Sequence, residues 1–364
     1  MKISQITNYL ESLAPLSSQE GYDNSGLIVG SKNDEVSSVL IALDCTEEII
    51  EEAKRKNCQM IIAHHPIVFK GLKKLNGSNY VERTVIRAIQ SNIAIYAIHT
   101  NLDNYRFGVN KEIGNRLGLS NLKVLAPKNG TLDKVTVFVP REHTNTVAQA
   151  MFDAGGGRIG DYDECSFTIN GEGTFRPLEG SDPWSGEQGK RSKDSEDRLE
   201  MVVSSHLTNK VCRAMISAHP YEEVAHDIVA LKNTNQYEGA GMIGELESPM
   251  EETAFLQKLK DTFGVGAIRH TDLLNKPVKK VAWCGGSGSF LLKNAISFEA
   301  DFYITGDFKY HEFFDAEDRI VIADIGHYES EQYTSQLLQG LLTEKFPKFA
   351  VHLTKVNTNP INYF

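Results

Sequence analysis

Nowhere in the 364 residues is there an apolar run of the roughly 20 residues that a membrane-crossing helix needs, so a membrane role is excluded from the expectations. The opening MKISQITNYLESLAPL has neither a long apolar core nor a small-residue cleavage site, and no secretory signal is expected from it. Cysteine is scarce: five residues, Cys45, Cys58, Cys165, Cys212 and Cys284, an odd number with no C-x-x-C pair. That argues against a disulfide framework and against a cysteine-based zinc site, and suggests reduced thiols in a cytoplasmic protein. Positive charge is outweighed, with 38 Lys and Arg against 48 Asp and Glu and a formal net charge of −10. Nucleic acid is therefore not expected as a partner, because phosphate binding needs clustered cations; a local basic patch, as at Lys70, Lys73 and Lys74, leaves that alternative open.

What is present is a normal core composition, 41% apolar, in a chain long enough for two or three domains. The first third alternates strand and helix signals. Residues 38–43, 59–63 and 93–98 read as strands, and 46–56 and 80–90 as helices, with Thr46 as N-cap of the first. The last third repeats the rhythm, with strands at 280–283, 301–304, 319–323 and 349–353 and helices at 290–297, 310–316 and 329–345. This is the signature of an α/β fold with mainly parallel sheets. The middle differs: strands at 134–139, 165–169 and 199–203 and helices at 145–154 and 209–216 read as a small α+β module. Its centre, 171–197, is rich in Gly, Ser and charge and reads as a long loop. The expected organisation is one α/β domain split into 1–128 and 236–364 by an insert at 129–235.

Five residues share one placement. His64 and His65 follow a strand, Asp103 lies just past the next, and His327 follows a strand in the second half. Open α/β sheets build sites outside the carboxyl ends of their strands. Glu331 is four residues after His327, one helical turn on, so both face the same way. Imidazole with carboxylate suits Zn²⁺, Mn²⁺, Fe²⁺, Co²⁺ or Ni²⁺. Three histidines and two carboxylates exceed the three protein ligands of a minimal mononuclear hydrolytic site. They suit two divalent metal ions about 3.5–4 Å apart, with a bridging water as nucleophile. Taken singly, each has a plainer reading: a His-His loop before proline, a turn at Asp103, a strand cap at His327, a solvated helix residue at Glu331.

The segments Ile62-Ala63-His64-His65-Pro66, His99-Thr100-Asn101-Leu102-Asp103 and Gly326-His327-Tyr328-Glu329-Ser330-Glu331 resemble three signatures of one family, the GTP cyclohydrolase 1 type 2 homologues, also described as Nif-three-like proteins. Asp23-Asn24-Ser25-Gly26-Leu27 and Thr305-Gly306-Asp307 before Tyr310-His311 add to the match. In the insert, so do Gly156-Gly157-Arg158-Ile159-Gly160-Asp161-Tyr162 and His219-Pro220-Tyr221-Glu222-Glu223. The resemblance covers the whole chain. It implies a dinuclear metal centre on His64, His65, Asp103, His327 and Glu331, and a toroidal homohexamer with the centres facing an internal cavity; of the metals that suit the ligand set, zinc is the one expected first. It also implies a ferredoxin-like insert of the PII or CutA type, and a GTP cyclohydrolase activity that the family name records as proposed.

Further candidates have two readings each. His311, four residues after Asp307, reads as an acid–base residue or one that orients a ligand, with Asp307 as the second catalytic candidate; a packed helix histidine is the plainer reading. Asn24 and Asp44 are placed to line the same face or to serve as turn and cap residues. Gly285-Gly286-Ser287-Gly288, between strand and helix, reads as a phosphate cradle or as a tight connection. His206, His219 and His226 lie in the insert, where packing is the plainer reading. Two functions compete: a metal-dependent hydrolase of the cyclohydrolase, phosphoesterase or amidohydrolase type acting on a nucleotide or other small molecule, and a non-catalytic metal-binding ring serving as scaffold, regulator or nucleic-acid handler.

Overall fold

The computed structural model describes residues 1–364. The chain forms two compact units: residues 1–126 with 238–364, and residues 127–237. The larger unit contains two sheets. In one, Gly26–Val29 is the edge strand, followed by Ala94–Ala97, Met60–Ala63, Ser38–Ala42 and Ala350–Leu353. All neighbours pair in parallel except the antiparallel Gly26–Val29. In the other, Arg269–His270 is followed by Val321–Asp324, Phe302–Gly306, Val278–Ser287, Thr234–Met250 and Ser120–Asn129. Here Val321–Asp324, Phe302–Gly306 and Val278–Ser287 are mutually parallel.

Both sheets are buried on two faces, which explains why their strands read as continuous apolar runs rather than alternating ones. Successive residues nonetheless go to different cores. Val39, Ile41, Met60 and Ile62 join Trp283, Phe302, Ile304 and Val321 in one central cluster with Ile6, Leu10, Phe255 and Leu338. Leu40, Ala42, Ile61 and Ala63 pack outward against the helices Glu47–Arg55 and Tyr80–Gln90. Ala282, Cys284, Tyr303 and Ile322 do the same on the far side of the second sheet. The central core thus clamps the two sheets with the carboxyl ends of their parallel strands beside one another.

The smaller unit runs strand, helix, strand, strand, helix, strand: Leu132–Pro140, Thr144–Asp153, Phe167–Phe175, Ser192–Ser204, Thr208–Ala218 and His226–Ala230. Its sheet is antiparallel, with spatial order Phe167–Phe175, Ser192–Ser204, Leu132–Pro140, His226–Ala230. Val135, Val137, Val139, Leu199 and Met201 bury one face against Val147, Met151, Val211 and Met215 of the two helices.

Two expectations are corrected and one is met with a difference of detail. The 171–197 stretch is not one long loop: Phe167–Phe175 pairs with Ser192–Glu200 as a hairpin, leaving 176–191 as the loop proper. Most of its strand residues are polar or glycine, some exposed and some, as Glu196 and Asp197, buried, so no apolar alternation marks them. The expected 329–345 helix is two, His327–Glu331 and Thr334–Lys345, broken at Gln332 and Tyr333. Thr46 occupies the N-cap of Glu47–Arg55, but its side chain makes no capping bond there. No helix is long and apolar enough to cross a membrane, and all five cysteines are free thiols.

Candidate metal centre

The strand ends of the larger unit deliver the cluster. Met60–Ala63 ends immediately before His64 and His65, and the short helix Thr100–Asp103 after Ala94–Ala97 carries Asp103. Val321–Asp324 leads through Gly326 to His327, the first residue of the helix that ends at Glu331. Gly326 has φ +95, a conformation that L side chains rarely adopt, and a Cβ there would strike the Glu329 carboxylate. Asp324, buried, braces this turn by accepting from the backbone N–H of Gly326 (3.0 Å) and of Phe308 (2.9 Å).

Glu331 is the hub. Its Oε2 lies 2.9 Å from His65 Nε2 and 3.1 Å from His327 Nε2, while Oε1 lies 3.7 Å from His64 Nε2. His64 Nε2 in turn is 3.5 Å from Asp103 Oδ1. Two triads share one carboxylate: His64, Asp103 and Glu331 on one side, His65, His327 and Glu331 on the other.

Each imidazole is oriented through its other nitrogen. His64 Nδ1 lies 2.8 Å from the Ile98 carbonyl, His65 Nδ1 2.8 Å from Asp44 Oδ1, and His327 Nδ1 2.7 Å from Asp307 Oδ2. In the neutral imidazole an Nδ1–H donating outward leaves the Nε2 lone pair aimed inward, the arrangement that metal-ligating histidines use. Asp44 is held in its turn by the Thr358 hydroxyl, 2.6 Å from Oδ2.

Burial pushes the His65 imidazole down, but its bonds to Asp44 and Glu331 outweigh this and hold it at about 10. His327, half-buried, is pushed down by desolvation but held at about 11 by the Glu331 charge and the Asp307 bond. His64 is lowered by burial. Asp103 is raised by burial and by the Glu331 charge; Glu331 resists its own burial because His327, His64 and His65 surround it. Glu331 is thus a buried carboxylate ringed by three imidazoles, with a second carboxylate, Asp103, beside it.

The fit to a metal rests on two atoms. His64 Nε2 and Asp103 Oδ1 are buried and have no hydrogen-bond partner, although they face each other. Orphaned buried polar atoms are costly and rare in native proteins. A lone pair and a carboxylate oxygen turned to the same point are what a cation requires.

Other candidates separate clearly. Asp44 and Asp307 meet the cluster as hydrogen-bond acceptors for His65 and His327. His311 does not reach it: the ring is exposed, packed on Tyr310 and Phe314, and does not line the cavity at the cluster. The Asn24 amide donates to the Val68 carbonyl (2.6 Å) and anchors a loop. The glycine run after Trp283 makes room rather than a cradle, since a Cβ at Gly286 would collide with Glu331 Oε1. His219 and His226 bond to backbone carbonyls within the smaller unit, and His206, also there, is lowered by burial.

His99 was missed as a site residue. It carries the same strand-end signal as His64, its ring lies 5.3 Å from those of both His64 and His65, and its Nδ1 meets Asp23 Oδ1 at 2.7 Å. Asn110 was missed too: it donates to the Asp103 carbonyl and accepts from the Gly285 N–H, tying the two sides of the cluster together.

The profile of the family described as Duf34/NIF3 (NGG1p interacting factor 3) matches residues 1–360. The chain belongs to this family. Among its relatives in the family, a GTP cyclohydrolase 1 type 2 homolog of Halalkalibacterium halodurans is 37% identical with both chains covered in full. One from Bacillus subtilis is 36% identical over 99% of this chain and 98% of its own. Among solved structures, a Bacillus cereus protein related to NIF3 superposes with a TM-score of 0.88 at 36% identity, covering 100% of this chain and 99% of that one. A Staphylococcus aureus protein superposes at 0.79 with 28% identity and the same coverage.

Proposed function

We propose that the larger unit binds two divalent metal ions and is a metal-dependent hydrolase, with His64 and Asp103 holding one ion, His65 and His327 the other, and Glu331 bridging them. The carrying observation is the pair of buried, unpartnered atoms His64 Nε2 and Asp103 Oδ1, set on the opposite side of Glu331 from His65 and His327. The imidazole-rich set favours zinc. When bound, two such ions lower the pKa of a shared water toward neutrality and polarise the bond under attack.

The chain's own residues supply the rest. Asp44 and Asp307 fix the tautomers of His65 and His327, and Asn110 keeps Asp103 and Gly285 in register. A cavity of about 470 Å³ opens on the cluster, and Tyr22, Phe69 and Phe290 among its lining offer flat apolar surface to a small substrate. A nucleotide, as in the name that the relatives carry, is one such substrate.

This reading extends to a homo-oligomer, a hexameric ring, supported by the solvent-facing rings of Tyr22, Phe290, Tyr310 and Phe314. It extends also to a ferredoxin-like, PII- or CutA-type smaller unit, supported by its strand–helix–strand–strand–helix–strand order. Metal analysis of purified protein, with the His64→Ala variant alongside, tests the centre: two ions per chain are expected and one or none in the variant. Stripped protein reloaded with each metal is then assayed on GTP, other nucleotides and amides. No turnover with any metal, indistinguishable from His64→Ala, refutes the hydrolase and leaves a non-catalytic metal protein.

A further inference from the structure

We propose that the smaller unit carries a second binding site, for a small organic cation of the alkylammonium or guanidinium class, between its sheet and the 176–191 loop. The cavity there measures about 650 Å³, a size suited to a metabolite. Its floor is the strand pair in which Gly171 lies opposite Glu196 and Gly173 opposite Asp194. A Cβ at Gly173 would run into the Glu196 carboxylate, so the missing side chain is what gives Glu196 its place.

Glu196 is buried, and it accepts a 2.8 Å bond from the Tyr221 hydroxyl, a neutral donor that leaves the carboxylate charge uncompensated. The wall is aromatic: Trp184 and Tyr221 rings stand 5.8 Å apart, Tyr221 and Phe175 6.5 Å. The His219-Pro220-Tyr221-Glu222-Glu223 motif builds this wall. Buried His219 accepts the Tyr221 N–H at Nδ1 (3.1 Å) and donates through Nε2 to the Phe138 carbonyl (3.0 Å), fixing where the tyrosine stands.

Charge decides the ligand class. Of the other lining ions, Glu172 pairs with Lys193, and Arg198 reaches Glu200, a carboxylate it shares with Lys134. That leaves Glu196, Glu222 and Glu223 against Arg176 and an Arg198 that is only partly offset, an acidic lining still. Ring faces carry negative potential, and beside a desolvated carboxylate they recognise a cation with an apolar or planar body. The same carboxylates repel a phosphate.

The protein has two tryptophans, and Trp283 is fully buried while Trp184 is 44% exposed, so emission changes report on this cavity. Full-length protein is titrated with agmatine and with choline, and with ATP as the anionic comparison. The expected result is a saturating Trp184 response to at least one cation and none to ATP, with the response absent in Trp184→Phe. Glu196→Gln keeps the acceptor for Tyr221 and removes the charge; binding should weaken about tenfold. Glu222→Gln, on the exposed rim, carries no folding risk and should weaken it less, in the same direction. No saturable response to either cation, unchanged affinity in both glutamate variants, or saturable binding of ATP would overturn the proposal. Because the readout is emission rather than turnover or metal content, its failure leaves the metal centre standing, and the reverse.

Discussion

Replacing Asp103 with Asn should make the metal-free protein more stable and the metal-loaded protein less so. In the chain without metal, at a pH where Asp103 is ionised, His64 Nε2 and Asp103 Oδ1 face each other at 3.5 Å, both buried and both acceptors, because His64 Nδ1–H is committed to Ile98. Each unsatisfied buried polar atom costs ~1–3 kcal/mol. The burial of a second carboxylate next to Glu331 adds to that. In Asp103→Asn an amide N–H can donate to His64 Nε2, satisfying both orphans with one bond and removing one negative charge. A gain of ~2 kcal/mol is the conservative expectation, which at about 2–4 °C per kcal/mol for a domain of this size raises Tm by roughly 4–8 °C. Metal reverses the order. Ions at a thousandfold excess over Kd stabilise the wild type by ~4 kcal/mol per site, and the variant lacks a charged oxygen to hold one of them. Scanning calorimetry of both proteins, chelated and then loaded with zinc, therefore gives melting curves that cross. A variant that melts below the wild type in chelator, or a wild type whose Tm ignores metal, would show that these atoms are not paired through a cation.

Thr358→Val removes the hydroxyl that holds Asp44 against His65 and should lower metal affinity about tenfold with little change in the chelated Tm, measured by competition with a chromophoric chelator. Gly286→Ala places a methyl group where Glu331 Oε1 lies and forces a side chain onto φ +64; the bound metal should fall by at least one ion per chain by elemental analysis. His311→Ala should leave metal content and Tm unchanged within about 1 °C, since the ring is exposed and only leans on Tyr310 and Phe314. A loss of metal in that variant would contradict its placement outside the cavity.

The doubly buried strands were the most legible part of the fold. Residues 38–43, 59–63 and 301–304 read as short apolar runs, and Ser38–Ala42, Met60–Ala63 and Phe302–Gly306 are strands. The hairpin of the smaller unit was not legible. Its strands carry Gly171, Gly173, Lys193, Ser195 and other residues without apolar side chains, so neither apolar alternation nor an apolar run signals pairing that is held by backbone bonds. The long Thr234–Met250 strand was also missed; its glycines at 239, 241 and 244 break any side-chain pattern. A Cβ at Gly244 would collide with Leu122 and with the Ser120 carbonyl, so its reason for being glycine lies on a neighbouring strand.

In the site, residue type and strand-end position pointed to five residues that the fold brings into one cluster, yet their division around Glu331 could not be read in advance. The reason is geometric. Position along the chain says that His65 and Glu331, 266 residues apart, can meet at neighbouring sheet ends, but which carboxylate oxygen faces which ring depends on small rotations. Those rotations are set by groups with no ligand chemistry of their own. Ser330 accepts from the Gly286 N–H and donates to the His327 carbonyl, locking the glycine turn to the helix that carries Glu331. This makes Ser330 a positioning residue. Ser330→Ala keeps the helix and its packing but frees Gly286 from the His327 turn. The expected result is weaker metal binding at both sides of Glu331 together, because the shared carboxylate moves. Selective loss of a single ion, resolved by stepwise titration with zinc, would show instead that the two triads are positioned independently.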